Sequence, residues 1–352
     1  MNWMFYLKTT ETCNLNCKHC FTNGINGPKI FWNAIKVTDW IKRFREYYPS
    51  ESDSIHCEFH GGEPFLVPVH EMRHVWENCK DLWPAMSWGA TTNLVFKMDQ
   101  EHYDFIEEAF NNRIGTSWDP KIRFANNKQY KLWHSNVKSL LNRGVTVKLF
   151  ISVTQDTLDI EPIVLLRWIR RLGVQEVSFE RLTHNGNAKK FPEIFPNNIE
   201  QDNWFLKLHE QSEKYNARDW FDNEFLEVIY SKFDTGFLKG GTFCRDCEEK
   251  IFTINADGTL SGCPNSAPEF QFGHINDNLE DIINSERRIE NISCERSRDP
   301  RCFSCDVFEY CGGDCHQLEW QNDVCGAPKS LMRFLKDKQN KKVWMIKNGN
   351  IN

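Results

Sequence analysis

Apolar positions in the first half of the chain follow two alternating periods. Short runs rich in β-branched and aromatic residues read as strands: Met4–Lys8, Ser54–Phe59, Ser87–Thr92, Arg113–Trp118, Val145–Thr154 and Glu176–Arg181. Between them apolar residues recur three and four apart, as in Val67–Leu82 and Gln129–Arg143, the latter followed by Gly144 as a helix stop. Six strand–helix units in series predict an α/β fold with a parallel sheet and right-handed crossovers, doubly wound or curled into part of a barrel. In either case ligands collect at the C-terminal ends of the strands. After Gly186 the pattern changes. Residues 199–232 read as helices, Gly236–Gly241 as a joint, and Ile251–Leu260 as a hairpin turning through Asp257-Gly258. A lysine-rich helix from Lys329 to about Lys347 closes the chain; its charges read as a solvated face, with an acidic partner as the alternative.

Length changes this picture little: 352 residues suggest about two domains. Hydrophobic residues at 40% and aromatic residues at 13% suffice for a sizeable core, which excludes wholesale disorder. No window approaches about 18 uninterrupted apolar residues. The opening residues, MNWMFYLK, lack the basic, apolar and small-residue succession of a secretory signal. A net charge of −6 argues against general nucleic-acid binding. The expectation is a soluble, cytoplasmic protein with no membrane or nucleic-acid partner.

Cysteine content changes the picture most. Fourteen cysteines in a reducing compartment point to metal or iron–sulfur ligation, since disulfide scaffolds are small and exported. Cys13, Cys17 and Cys20 stand together near the start, and Cys244, Cys247, Cys263, Cys302, Cys305, Cys311, Cys315 and Cys325 crowd the end. Cys57, Cys79 and Cys294 belong to neither group and read as small buried side chains or stray thiols.

Cys13-x3-Cys17-x2-Cys20 directly follows the first strand, and Asn14 and Asn16 suit the loop needed for three thiolates to converge. Thiolates select zinc or iron–sulfur clusters. Zinc would want a fourth ligand, for which His19 and His60 are available; a four-iron cluster would leave one iron open. Gly61-Gly62-Glu63-Pro64 follows the second strand. Its glycines permit close backbone approach, and Glu63 offers a carboxylate near an ammonium group. The same residues also make an ordinary strand-to-helix turn with Pro64 near the helix start.

These two motifs in this order resemble the radical S-adenosylmethionine (SAM) enzymes, whose signature is Cys-x3-Cys-x-aromatic-Cys with GGEP after the second strand. His19 fills the aromatic slot. Thr92-Asn93-Leu94 resembles the family's Thr-Asn-Gly, and Ser117-Trp118-Asp119-Pro120 its Ser-x-Asp-Gly, each with the glycine replaced. The resemblance covers roughly residues 3–188 and implies a partial (β/α)6 TIM-like barrel. It also implies a [4Fe–4S] cluster on Cys13, Cys17 and Cys20, with SAM bound by Gly61, Gly62, Glu63, Pro64, Asn93 and Ser117. Without it, Asn93 and Ser117 are polar strand ends.

At the other end, Cys302-x2-Cys305-x5-Cys311-x3-Cys315 is a dense ladder with Gly312-Gly313 inside it. Eight thiolates divide into two four-cysteine sites, suiting two [4Fe–4S] clusters or two zincs. Gly258-x4-Cys263, the ladder, Cys325 and Gly273-His274-Ile275 resemble the SPASM extension of enzymes that mature subtilosin, pyrroloquinoline quinone, anaerobic sulfatases and mycofactocin. The resemblance implies one auxiliary cluster on Cys244, Cys247, Cys263 and Cys315, and another on Cys302, Cys305, Cys311 and Cys325. That makes three [4Fe–4S] clusters in all. Cys244 and Cys247 are closer together than in sulfatase maturases, which leaves open whether both ligate. The implied organisation is a barrel (1–190), a helical connector (191–240), a small cysteine-rich SPASM domain with a β-hairpin and short helices (241–328), and a basic helix (329–352).

By this resemblance the chain would be an oxidoreductase that cleaves SAM reductively to a 5′-deoxyadenosyl radical. It would then oxidise or cross-link a peptide or protein side chain, drawing on a low-potential electron donor. Only twelve residues precede Cys13, so a separate leader-recognition protein, or direct reading of a short motif, is expected. The alternatives are a dehydrogenase acting on a sugar or cyclitol and a non-catalytic zinc or partner-binding protein. Sulfatase maturases carry an Asp after the cysteine aligned with Cys263; Pro264 and Asn265 stand here, against formylglycine formation. Asp119, Glu180 and Asp314 are candidate proton acceptors. Glu180-Arg181 and Asn185-Gly186-Asn187 are expected to line the cavity mouth as substrate contacts.

Overall fold

The computed structural model describes residues 2–236 and 242–347. Ten strands form one sheet: β1 (Asn2–Lys8), β2 (Ser54–His60), β3 (Ala85–Thr92), β4 (Arg113–Ser117), β5 (Thr146–Val153), β6 (Glu176–Arg181), β7 (Asp222–Asn223), β8 (Ile251–Ile254), β9 (Thr259–Ser261) and β10 (Gly273–His274). Their order is β10-β9-β8-β1-β2-β3-β4-β5-β6-β7, parallel from β8 through β7 and antiparallel at β9 and β10. The six predicted strands are present in chain order, and the helices between them supply the crossovers that parallel pairing demands.

Alternation explains how the sheet is sandwiched. Trp3, Phe5 and Leu7 of β1 are buried, while Met4 and Tyr6 between them are half-buried on the inner face. The buried set packs on α1 (Ala34–Tyr47), with Phe5 5.4 Å from Trp40 and 4.9 Å from Phe44 between ring centroids. Asn33 caps that helix by accepting from the Lys36 N–H. α2 (Val69–Cys79), α3 (Gln100–Ala109), α4 (Asn127–Asn142), the short α5 (Gln155–Leu158) and α6 (Pro162–Leu172) follow. The predicted helix over 67–82 is shorter, because Pro64–Leu66 forms a separate 3-10 turn and Pro68 starts α2. Gly144 follows α4 at φ +81, as its role as a stop requires. α7 (Asn198–Lys214) and α8 (Glu224–Thr235) fill the predicted helical stretch. Gly236 closes α8 at φ +77, and the rest of the predicted joint lies outside the described residues.

The hairpin extends the sheet rather than standing apart. β8 pairs with β1 from Met4↔Ile251 to Leu7↔Ile254, and Phe252 sits 5.3 Å from Phe44 inside the same aromatic cluster. One hydrophobic core therefore runs from β1 to the cysteine-rich stretch. Among the described residues no helix is long and apolar enough to cross a membrane.

Candidate functional site

Register places the first two motifs level. Lys8 pairs with His60, so the Cys13 loop and Gly61-Gly62-Glu63-Pro64 leave the sheet side by side. Gly62 N–H donates to Thr10 O (2.8 Å) and Glu63 N–H to Thr12 O (3.0 Å). A methyl on Gly62 would stand 1.9 Å from Thr12 O, and Gly61 at φ +137 would meet Thr10 O. The close approach that the glycines permit is thus to the chain's own cysteine loop. Glu63 is fully buried, and its oxygens accept from Phe65 N–H (3.1 Å), Thr92 Oγ1 (2.6 Å) and Asn93 N–H (2.7 Å). Burial pushes its carboxyl up to about 7 against these donors. Asn93 turns onto the same loop, donating to Asn14 Oδ1 (2.6 Å) and lying 3.5 Å from Cys13 Sγ. Leu94, where the resemblance expects a glycine, takes a glycine-like φ of +51 and is completely buried. Ser117 ends β4 half-buried.

A buried ionic group supports the loop from the other side. Asp119 accepts from Arg123 Nε (2.6 Å) and Ser152 N–H (2.7 Å) and lies 3.3 Å from His19 Nε2. Burial alone would raise its carboxyl, but His19 and Arg123 hold it below the ordinary value. Burial holds His19 down to about 4, hence neutral. Asp119 thereby ties β4 and β5 to the cysteine loop, and its oxygens are occupied. Asn187 donates its side chain to Cys17 O (2.9 Å), and its backbone N–H to Thr22 O (2.7 Å). Gly186 at φ +55 touches Phe21 so closely that a Cβ would fall 2.2 Å from its carbonyl. The Asn185-Gly186-Asn187 segment, expected at the cavity mouth, is instead a brace: Asn187 is buried under the cysteine loop and Asn185 donates to Asn265 O (2.6 Å). His60 is half-buried, with Nδ1 sealed from solvent; desolvation pushes it down to about 4, hence neutral, with its ring between Tyr6 and Phe21.

The remaining candidates separate. Asp314 is buried in a bidentate pair with Arg181, Arg181 Nη2 donating at 2.7 Å, and also accepts from Cys315 N–H (2.8 Å). It links the end of β6 to the Cys311–Cys315 turn. Glu180 is exposed and accepts from Ser178 Oγ (2.7 Å).

All fourteen cysteines are free thiols. Burial pushes Cys13 up to about 11 and Cys17 to about 12, and Cys20 raises both further. The C-terminal thiols act on each other in two sets. Burial is the largest cause raising each of these thiols; beyond it, Cys263 and Cys315 raise Cys247, Cys315 raises Cys263, Cys325 and Cys305 raise Cys302, and Cys325 raises Cys311. Cys244 acts on Lys250 beside the first set. Among the described residues no three His, Cys, Asp or Glu side chains converge on one point that could hold a single ion. A four-iron cluster takes one thiolate per iron. Buried polar atoms without partners surround these thiols: Arg245 Nε and Nη1, His316 Nδ1 and Glu248 Oε2. Soft donors in sets, ringed by unfilled polar atoms, fit an iron–sulfur group. Sequence reasoning missed Arg123 and Arg245, and it singled out Asn187 for the cavity mouth rather than for the cysteine loop.

Residues 241–306 match a protein family described as an iron–sulfur cluster-binding domain, SPASM. The fold is similar to that of anSMEcpe solved with bound AdoMet and the Cp18Cys peptide, with a TM-score of 0.79 at 15% identity over 100% of each chain. It is also similar to SuiB of Streptococcus suis bound to its precursor peptide SuiA, with a TM-score of 0.64 at 13% identity over 93% of this chain and 76% of that one. No curated protein matches the chain by sequence. The fold is that of these solved structures, and the match to the SPASM domain falls on its C-terminal cysteine-rich part.

Proposed function

We propose that the chain is a radical SAM/SPASM oxidoreductase that modifies a side chain of a peptide or protein. The observation that carries this reading is the locking of the Cys13–Cys20 loop onto the Gly62 turn. Three thiols are held at the C-terminal ends of β1 to β3, on the sheet that bears the SPASM hairpin. When bound, a [4Fe–4S] cluster and SAM would supply reductive cleavage to a 5′-deoxyadenosyl radical able to take a hydrogen atom from substrate. Cys13, Cys17 and Cys20 would hold that cluster. Asn93 and the Gly61–Pro64 turn fix the loop that carries it, and Arg123, Asp119 and Asn187 brace it from behind. Two auxiliary clusters, on Cys244, Cys247, Cys263 and Cys315 and on Cys302, Cys305, Cys311 and Cys325, complete three. Peptides are present in the solved complexes of anSMEcpe and SuiB, which supports a peptide substrate. A leader-recognition protein, a low-potential donor and a cytoplasmic setting complete the reading. Asp119 and Asp314 are engaged in buried pairs, so Glu180 is the proton acceptor left among the three candidates.

The reading is tested by electron paramagnetic resonance of anaerobically reconstituted, dithionite-reduced protein. Addition of SAM should change the spectrum of one cluster, and the Cys13/Cys17/Cys20→Ala variant should lose that response while keeping its other signals. A full cluster complement whose spectrum ignores SAM would contradict it.

A further inference from the structure

Arg245 stands between Cys244 and Cys247 and is 5% exposed. Its backbone takes a left-handed φ of +57, costly for a side chain of this size, so packing holds it there. Its Nη2 donates to Ser297 O. Nε and Nη1 are buried and donate to nothing. Among the described residues it forms no salt bridge, whereas the neighbouring cations are otherwise engaged. Arg181 pairs with Asp314, and Arg298 donates to the carbonyls of Glu295 (3.1 Å) and Ser297 (3.2 Å).

The turn Cys311-Gly312-Gly313-Asp314-Cys315 lies against this guanidinium. A Cβ on Gly313, whose φ is +96, would fall 3.7 Å from Arg245 Nη2 and 2.4 Å from Arg298 Cδ. Glycine is therefore needed to admit Arg298, while Arg245 lies at ordinary van der Waals distance from the turn. That turn carries one cysteine of each auxiliary set, Cys311 and Cys315. A guanidinium stays protonated even when buried, so its charge is permanent. Glu295, whose oxygens accept from the Cys247 and Glu248 N–H groups, feels this charge without pairing with it, so a permanent buried cation keeps N–H donors free for a further anionic acceptor.

We propose that Arg245 is a cation shared by both auxiliary iron–sulfur sites, its free N–H donors serving cluster sulfur and raising the reduction potentials of both. It is a positioning and tuning residue, and the proposal rests on the cluster assignment above. The physical cause is general: a cluster that takes up one electron gains negative charge, which a nearby cation and N–H···S bonds stabilise.

The test is a potentiometric titration with dithionite, followed by electron paramagnetic resonance, on the full chain in the Cys13/Cys17/Cys20→Ala background, where only auxiliary clusters remain. No substrate is required. Arg245→Gln should retain both clusters and move both midpoint potentials to more negative values. Arg245→Lys, which keeps the charge and loses the planar fork, should move both by less. Arg298→Gln, which removes a cation already bonded to carbonyls, should move them least. Unchanged potentials in Arg245→Gln at full iron content would overturn the proposal, as would a shift of one cluster alone. If Arg245→Gln fails to load iron, Arg245→Lys decides: native potentials overturn the proposal and a negative shift of both upholds it. A protein that binds zinc and shows no cluster signal would overturn the cluster reading itself, an outcome distinct from unchanged potentials.

Discussion

Glu63 shows how much one side chain of a recognisable motif can do inside the protein. It is fully buried, accepts three hydrogen bonds, and joins the end of β2 to the end of β3 beneath the cysteine loop. Its carboxyl is raised from 4.5 to about 7, so the folded chain binds that proton more tightly than the unfolded one. The stability it lends is complete below about pH 4.5 and is lost as pH rises through about 7. In equilibrium unfolding, wild type should lose up to about 3 kcal/mol relative to Glu63→Gln across that window. Parallel pH profiles for the two proteins would contradict this. The motif was legible as Gly-Gly-Glu-Pro, but the partners of Glu63 were not. Thr92 and Asn93 lie far along the chain, and only the β2–β3 register brings them to it. Asp119 was legible as a strand-end carboxylate, and its engagement by Arg123 and His19 appears only once Pro120 and Lys121 turn the chain back.

At the scale of elements, six strands were readable because each carries a run of β-branched or aromatic residues long enough to pair on both sides. β7, with two residues, is too short to leave a pattern, and β8 read as half of a local hairpin. That β8 also pairs with β1 follows from Phe252 entering the Trp40–Phe44 cluster, a contact between residues some 200 positions apart that no local period encodes. A fragment ending at residue 236 leaves β1 as an open edge beside exposed aromatic side chains. It should form soluble aggregates on size-exclusion chromatography where the full chain does not. A monomeric fragment with native circular dichroism would contradict that. The Arg181–Asp314 pair joins β6 to the Cys311–Cys315 turn with both side chains nearly sealed from water. Asp314→Asn strands a buried guanidinium and should cost roughly 3–5 kcal/mol in chemical denaturation. A loss near that of an exposed ion pair would show that the two elements are held by other contacts.

For the whole molecule, the sheet places three thiols at one set of strand ends and continues through β8 into the stretch that carries eight more. Both groups of cysteines thereby hang on one sheet, and the match to a SPASM domain falls on the part of the chain that begins beside β8. The cysteine spacings were readable along the chain because the N-terminal triplet and the Cys302–Cys315 ladder are local, whereas the close approach of Arg298 to the Cys311–Cys315 turn was not.

The measurement that bears most directly on the central claim is release of 5′-deoxyadenosine from SAM by anaerobically reconstituted protein with dithionite, set beside the Cys13/Cys17/Cys20→Ala variant. Release by the wild-type chain that disappears in the variant is the predicted result. Equal release by both, or none from a wild-type chain that binds zinc in place of iron, would contradict radical SAM chemistry at this loop.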